Sequence, residues 1–271
     1  MAAPYDAAVV SAPEGSKLNQ SIRKAMTLLR ATATHPDGAS VSALARAAGL
    51  PRATALRLIH TMEREGLLLR VPEADRVLLG PELIRLARRV DMGTMLRELA
   101  VPRLAELSQN LRETVTLSVA APDGGLVLAH QVDGPHHLVP RSWVGQRFPL
   151  HASSSGKVLL STYDGERLER FLQEPLEQLT PTTITKPRAL RRELARVREQ
   201  GFAATIDELE QGLAGVSVGI FGETRALLGS INVSGLSQRL DETGRIRAVE
   251  QTRSVVATLE AALGRGTGDG A

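Results

Sequence analysis

Two stretches of this 271-residue chain place polar side chains at spacings that could do chemistry. In Leu150-His151-Ala152-Ser153-Ser154-Ser155-Gly156-Lys157, hydroxyl residues and a glycine open an apolar helical pattern. Unpaired N–H groups and the positive end of the helix dipole at such a start favour a carboxylate or phosphate. The same serines could simply cap the helix, and the residues alone leave both readings open. Ser154 and Lys157 also form S-x-x-K, the spacing of an acylating serine–lysine pair, but neither S-D-N nor K-T-G follows. Ser155-Gly156-Lys157 echoes the end of a P-loop without its preceding glycine or following Ser/Thr. A Ser–Lys hydrolase fused to a DNA-binding module is thus the enzymatic alternative, and the reading preferred here is not an enzyme.

The second stretch is Arg52-Ala53-Thr54-Ala55-Leu56-Arg57-Leu58-Ile59-His60-Thr61-Met62-Glu63-Arg64. At about 100° per residue, Ala55, Leu58, Ile59 and Met62 fall on one side and Ala53, Arg57, His60 and Arg64 on the other. Small residues at the start, Ala53 and Thr54, let a backbone approach DNA. Arg52, Arg57 and Arg64 could take guanine O6 and N7 or phosphate. A plain helical hairpin with a solvated basic face fits this stretch equally well. Histidines form a third group: His130, His136, His137 and His151. Without H-x-x-x-H or H-E-x-x-H spacing, and with no cysteine, they predict no metal site and no cofactor.

The elements that must position these residues follow from periodicity. Val41, Leu44, Ala45 and Ala48 make one apolar helical face, Gly49 suits the turn after it, and Pro51 can open the basic helix. Together they plan a helix-turn-helix. Two apolar runs flank Pro72-Glu73-Ala74-Asp75, which predicts a β-hairpin wing with Arg70 and Arg76 facing phosphate. A first helix over 19–34 carries Ile22, Ala25, Met26 and Leu29. Between Ser16 and Val90 there are 13 Lys/Arg and 6 Asp/Glu, a net +7 against +3 for the whole chain. The positive charge sits with the helix-turn-helix, as a phosphate footprint requires.

Beyond the wing, helical patterns cover 81–90 and 94–110, and the period changes at Thr114. Thr114 to Val119 alternates as a half-buried strand and Pro122-Asp123-Gly124-Gly125 turns it into a second strand over 126–132. Helices are expected at 154–162, 166–173, 188–200 and 245–263, and strands at 202–209, 216–221 and 227–233. Paired strands interrupted by helices predict an α+β class, with an antiparallel sheet carrying helices on its faces. The domain reading is a disordered tail at 1–15, a winged helix-turn-helix DNA-binding domain at 16–80 and a helical linker at 81–110. A further domain covers 111–264, and 265–271 is a flexible tail. No apolar run reaches membrane-span length, the N-terminus lacks a signal-peptide pattern, and cysteine is absent. These features predict a cytoplasmic protein that does not enter a membrane.

Several ordered motifs together resemble the IclR family of bacterial transcriptional regulators, from about Leu18 to Leu263. They are Ser21-Ile22-Arg23-Lys24-Ala25, LARAAGLPRATALRLIHTMEREGLL, Leu79-Gly80, PLHASSSGKVLLS, ELARVREQGFAATIDELEQGL, and SINVSG followed by Arg239-Leu240. The resemblance implies a GAF-like effector domain after the winged helix. It implies double-stranded operator DNA as partner and a homodimer or homotetramer built through the linker helices and first helix. It also implies a small organic effector, a carboxylate by the chemistry of the serine turn. Ser154, Ser155 and Gly156 would then line the effector pocket, with Thr205, Gly215, Asn232 and Ser234 at the family's contact positions. Some members that hold small keto-acids carry an acidic residue at Thr205 and a cysteine at Gly215. Those effectors are accordingly not transferred to this chain.

Overall fold

The structure is a computed structural model that describes residues 18–71, 74–121, 123–136, 142 and 144–263. The expected tails, the Pro72-Glu73 tip of the wing and His137 lie outside the described residues. Two compact units divide the chain, Met1–Asp91 and Met92–Ala271.

In the first unit, α1 (Gln20–Ala33) starts where Asn19 Oδ1 accepts from the N–H groups of Ser21 and Ile22. Helix α2 (Val41–Ala47) is capped by Ser40, whose Oγ accepts from Ala43 N–H. Gly49, at φ +63°, reverses the chain into α3 (Arg52–Arg64) at a conformation that side-chain-bearing residues avoid. Strands β1 (Leu68–Val71) and β2 (Arg76–Leu79) pair antiparallel as the wing. One core joins Leu28 of α1, Leu44 and Ala45 of α2, Ala55, Ile59 and Met62 of α3, and Leu68 and Val77 of the wing. Burying each leucine or isoleucine there contributes about 1.5–3 kcal/mol, which is why the two short strands hold without a larger sheet. Helix α4 (Pro81–Ala87) ends this unit with no buried residue.

The second unit begins with α5 (Met92–Leu111), followed by β3 (Thr114–Ala120) and β4 (Leu126–Val132). Helices α6 (Ser154–Ser161), α7 (Gly165–Gln173) and α8 (Pro187–Gln200) come next. Strands β5 (Ala203–Ile206), β6 (Leu213–Phe221) and β7 (Leu227–Leu236) lead to the closing α9 (Glu242–Ala262). The five strands form one antiparallel sheet in the order β4-β3-β7-β6-β5. The class is α+β, as the pattern predicts. The linker expected over 81–110 divides between the units. From Leu96 to Leu107, α5 buries its apolar side with α9 against Val115, Leu117, Val216, Ile231 and Val233.

The sheet's other face is polar and also buried. Register places Thr116, Asn232 and Ser217 in one cross-strand row and Ser118, Ser230 and Gly219 in the next. Thr205, Gly215 and Ser234 make a third row. Strand β5 stops at Ile206, short of the expected Leu209. Asp207 takes φ +59°, and its carboxylate accepts the Gly212 N–H at 2.8 Å, which turns the chain early into β6.

Candidate functional site

Helix α3 divides as its spacing predicts. Ala55, Ile59 and Met62 are buried, whereas Arg52, Ala53, Arg57, His60 and Arg64 are exposed and Thr54 is half-buried. Among the described residues, the side chains of Arg57, His60 and Arg64 make no hydrogen bond or ion pair, so their donors face outward unspent. The other three arginines of the expected DNA face are tied into the fold. Arg52 Nε donates to Ser42 Oγ, and Arg76 Nη1 donates to the Asp37 carbonyl at 2.9 Å. Arg70 Nε donates to Glu63 Oε1 at 2.7 Å and so pins the wing to α3. Arg70 and Arg76 can still meet phosphate with their remaining N–H groups, but from fixed positions.

In the second unit, a cavity of about 250 Å³ lies between the first turn of α6 and the polar face of the sheet. Its wall contains Ser154, Ser155, Thr205, Gly215, Asn232 and Ser234. These come from α6, β5, β6 and β7, and antiparallel register brings them together. Ser153 is the helix cap, with its Oγ accepting from Gly156 N–H at 3.2 Å. The N–H groups of Ser154 and Ser155 have no acceptor within the helix, as at any helix start. Ser154 Oγ donates to Asn232 Oδ1 at 2.7 Å, and Asn232 Nδ2 in turn donates to Thr116 Oγ1. Ser155 Oγ reaches Ser217 Oγ at 3.1 Å, and Ser217 donates onward to the Ile231 carbonyl. The Ser155 hydroxyl is therefore spent on the sheet, and its amide is what it offers a ligand.

Gly156 is a correction to the expected set, for it is not part of the cavity wall. A Cβ there would stand 2.3 Å from the Leu150 carbonyl oxygen, so the glycine allows close backbone packing instead. The wall also includes residues that the sequence did not single out, among them Thr116, Ser118, Gln131, Phe148, Leu209 and Glu210. The alternation of Thr114, Thr116 and Ser118 was a visible signal, but a strand pattern does not say which face is covered. Glu210 is the one charged side chain in the described wall, which contains no lysine, arginine or histidine. An anion in the cavity would therefore be met by hydroxyls, the side-chain amides of Gln131 and Asn232 and the α6 N–H groups, with no cation among them.

The serine–lysine pair is not assembled. Ser154 is bonded to Asn232, while Lys157 is fully buried with Nζ 2.5 Å from Glu208 Oε1 and 3.8 Å from Glu193 Oε1. Burial pushes the Glu208 carboxyl above the usual range, against the opposing pull of Lys157. Among the described residues, His130, His136 and His151 are not part of the cavity wall. His151 is buried and donates from Nε2 to the Glu177 carbonyl at 2.8 Å. Among the described residues no group of three or more acidic or histidine side chains could hold a metal ion.

Comparison with known proteins covers both units. The IclR helix-turn-helix domain profile matches residues 21–72, and the profile for bacterial transcriptional regulator IclR C-terminal matches residues 90–261. The chain is 36% identical over 220 residues to the HTH-type transcriptional regulator Rv1719 of Mycobacterium tuberculosis, spanning 81% of this chain and 83% of that protein. The crystal structure of Thermotoga maritima IclR superposes with a TM-score of 0.59 at 26% identity, over 90% of this chain and 98% of that one. An IclR homolog from Microbacterium hydrocarbonoxydans, complexed with 4-hydroxybenzoate, gives 0.58 at 29% identity over 90% and 98%.

Proposed function

Because the chain belongs to the IclR family of bacterial transcriptional regulators and is a DNA-binding regulator of transcription, we propose that a small organic effector held in the α6 cavity switches it. The observation that carries this is the cavity itself: six residues from four elements, five of them with polar side chains, converge on one space at a helix start. A cavity of roughly 150 Å³ takes benzene, so about 250 Å³ fits one substituted ring or a short chain. The effector is a carboxylate, received by the Ser154 and Ser155 amides and the helix dipole. The Microbacterium homolog's 4-hydroxybenzoate supports that class. The protein works in the cytoplasm with its DNA and performs no catalysis. No helix of the described residues is long and apolar enough to cross a membrane.

Thermal-shift screening of small aromatic and aliphatic carboxylates tests this reading. A hit must also change the operator-binding isotherm, because a ligand moves the DNA equilibrium only through its differential affinity for the two states. A screen in which no compound does both would remove it. Ser118 refines the expectation, for its hydroxyl is buried beside the cavity without a hydrogen-bond partner. If it receives a polar substituent of the effector, Ser118→Ala should weaken a hydroxylated hit by about two- to tenfold and leave its deoxy analogue unchanged. Equal affinities in both proteins would assign Ser118 no part in recognition.

DNA is read by the outer face of α3, with Arg52, Ala53, Thr54, Arg57, His60 and Arg64 along the groove and Arg70 and Arg76 on the backbone. One such helix covers half a site, so the protein acts as a dimer or a dimer of dimers. Exposed Ile22 and Met26 of α1 and Ile84 and Leu86 of α4 supply apolar surface for the contact. Sedimentation should show a species of at least twice the chain mass at micromolar concentration. A monomer with and without DNA would contradict this.

A further inference from the structure

Lys157 is a fully buried cation one turn past the serines of the cavity, and it lies outside the cavity wall. Its partner Glu208 sits in the 207–212 connection between β5 and β6. The next two residues, Leu209 and Glu210, do enter the wall. Glu208 points away from them, to within 2.5 Å of Lys157 Nζ. Three threonines grip the same connection from behind. The hydroxyls of Thr180 and Thr182 donate to the Asp207 carbonyl at 2.5 and 2.7 Å, and Thr183 donates to the Glu208 carbonyl at 2.7 Å. Leu179, beside them, is also in the wall. Three wall segments thus meet at the 207–212 connection, α6 through the buried ion pair and 179–183 through the backbone carbonyls.

A buried ion pair adds little stability over apolar side chains of the same volume, yet it is costly to break from one side. Its effect is to fix position, because its attraction falls off as soon as the partners move apart. We propose that Lys157 is a positioning residue of the cavity wall: through Glu208 it holds the 207–212 connection, and with it Leu209 and Glu210, in place for ligand binding without touching the ligand. The consequence for recognition rests on the effector reading of the cavity. The positioning itself does not, and is tested without ligand.

Hydrogen exchange on the full chain is the measurement, comparing wild type, Lys157→Met and Lys157→Met/Glu208→Leu. The reporters are the amides of Asp207, Gly212 and Leu213, bonded to the Leu213 carbonyl, Asp207 Oδ1 and the Glu210 carbonyl respectively. In Lys157→Met these should exchange at least about tenfold faster, while amides of β7 keep wild-type rates. The double variant should regain the wild-type melting temperature yet leave 207–213 fast. Acceleration shared equally with β7 would make Lys157 a general stability element and overturn the proposal, as would wild-type rates at 207–213. Should Lys157→Met fail to fold, Glu208→Gln keeps the volume and an acceptor, loses the charge, and is judged by the same two criteria. Either failure leaves the effector reading standing, and a failed ligand screen leaves the exchange result standing.

Discussion

Arg57→Ala is expected to weaken specific operator binding by roughly 1–3 kcal/mol, a factor of about 5–150, if the side chain reads a base edge. The fold should not notice the change. Arg57 is exposed in the middle of α3, and its guanidinium has no partner among the described residues, so truncation removes donors and little packing. Arg70→Ala should behave differently. It too removes a positive charge facing phosphate, so all sequences should weaken together and the salt slope should fall by about 1. Because Arg70 also pins the wing to Glu63, its loss should loosen β1 and β2 as well. The operator can be found by sequencing DNA fragments that the purified protein retains. Fluorescence anisotropy on operator and scrambled duplexes at several salt concentrations then separates the two variants. Unchanged isotherms for both would remove α3 and the wing as the DNA-reading surface.

Filling the cavity should uncouple sensing from DNA binding. Gly215 is the position to fill, since an added Cβ would stand 3.2 Å from Asn232 Oδ1, 3.3 Å from Ser154 Oγ and 3.6 Å from Thr205 Oγ1. Gly215→Val therefore places methyl groups among three polar side chains of the wall, on a strand whose backbone suits valine. The added methyl groups occupy space the ligand needs. A steric conflict in the complex of the size overpacking has in cores, roughly 1–3 kcal/mol, lowers effector affinity about 5–150-fold while the operator isotherm without effector stays as in wild type. Ser155→Leu, the substitution that the serine motif alone suggests, is a poorer probe. Its hydroxyl is turned onto Ser217, and a leucine there would push on β6 directly. Ser153 both caps α6 and lies in the wall, so Ser153→Ala should cost about 0.5–2 kcal/mol of stability; only if the serines act purely as caps would the effector response stay intact. Paired operator titrations, with and without the effector found by screening, read all three. A Gly215→Val protein that still responds at the wild-type concentration would place the ligand elsewhere.

What could be read from the chain and what could not separate along a physical line. The two sides of α3 follow from a helical period that needs no long-range information, so Ala55 and Ile59 inside and Arg57 and His60 outside were legible residue by residue. The wing was legible for the same reason, with two apolar runs and a turn between them. The basic charge on the first unit is a property of composition. The resemblance to a known family added Thr205, Gly215, Asn232 and Ser234, which line the cavity with Ser154 and Ser155, but no spacing rule links those positions.

Tertiary structure decided everything that depends on two distant segments meeting. Ser154 finds Asn232 78 residues away, Ser155 finds Ser217 62 away, and Lys157 finds Glu208 51 away. The S-x-x-K spacing offered Lys157 as the lysine of an acylating pair, a reading set aside for want of S-D-N and K-T-G, and only the fold shows it paired with Glu208. Gly156 likewise looks like a ligand contact until the Leu150 backbone is found against it. Alternation along β3 told that Thr116 and Ser118 share a face, not that α6 covers it. Periodicity sets which residues point the same way. What they point at is set by strand register and by where a helix lands, and those are chosen by the summed packing of the whole domain.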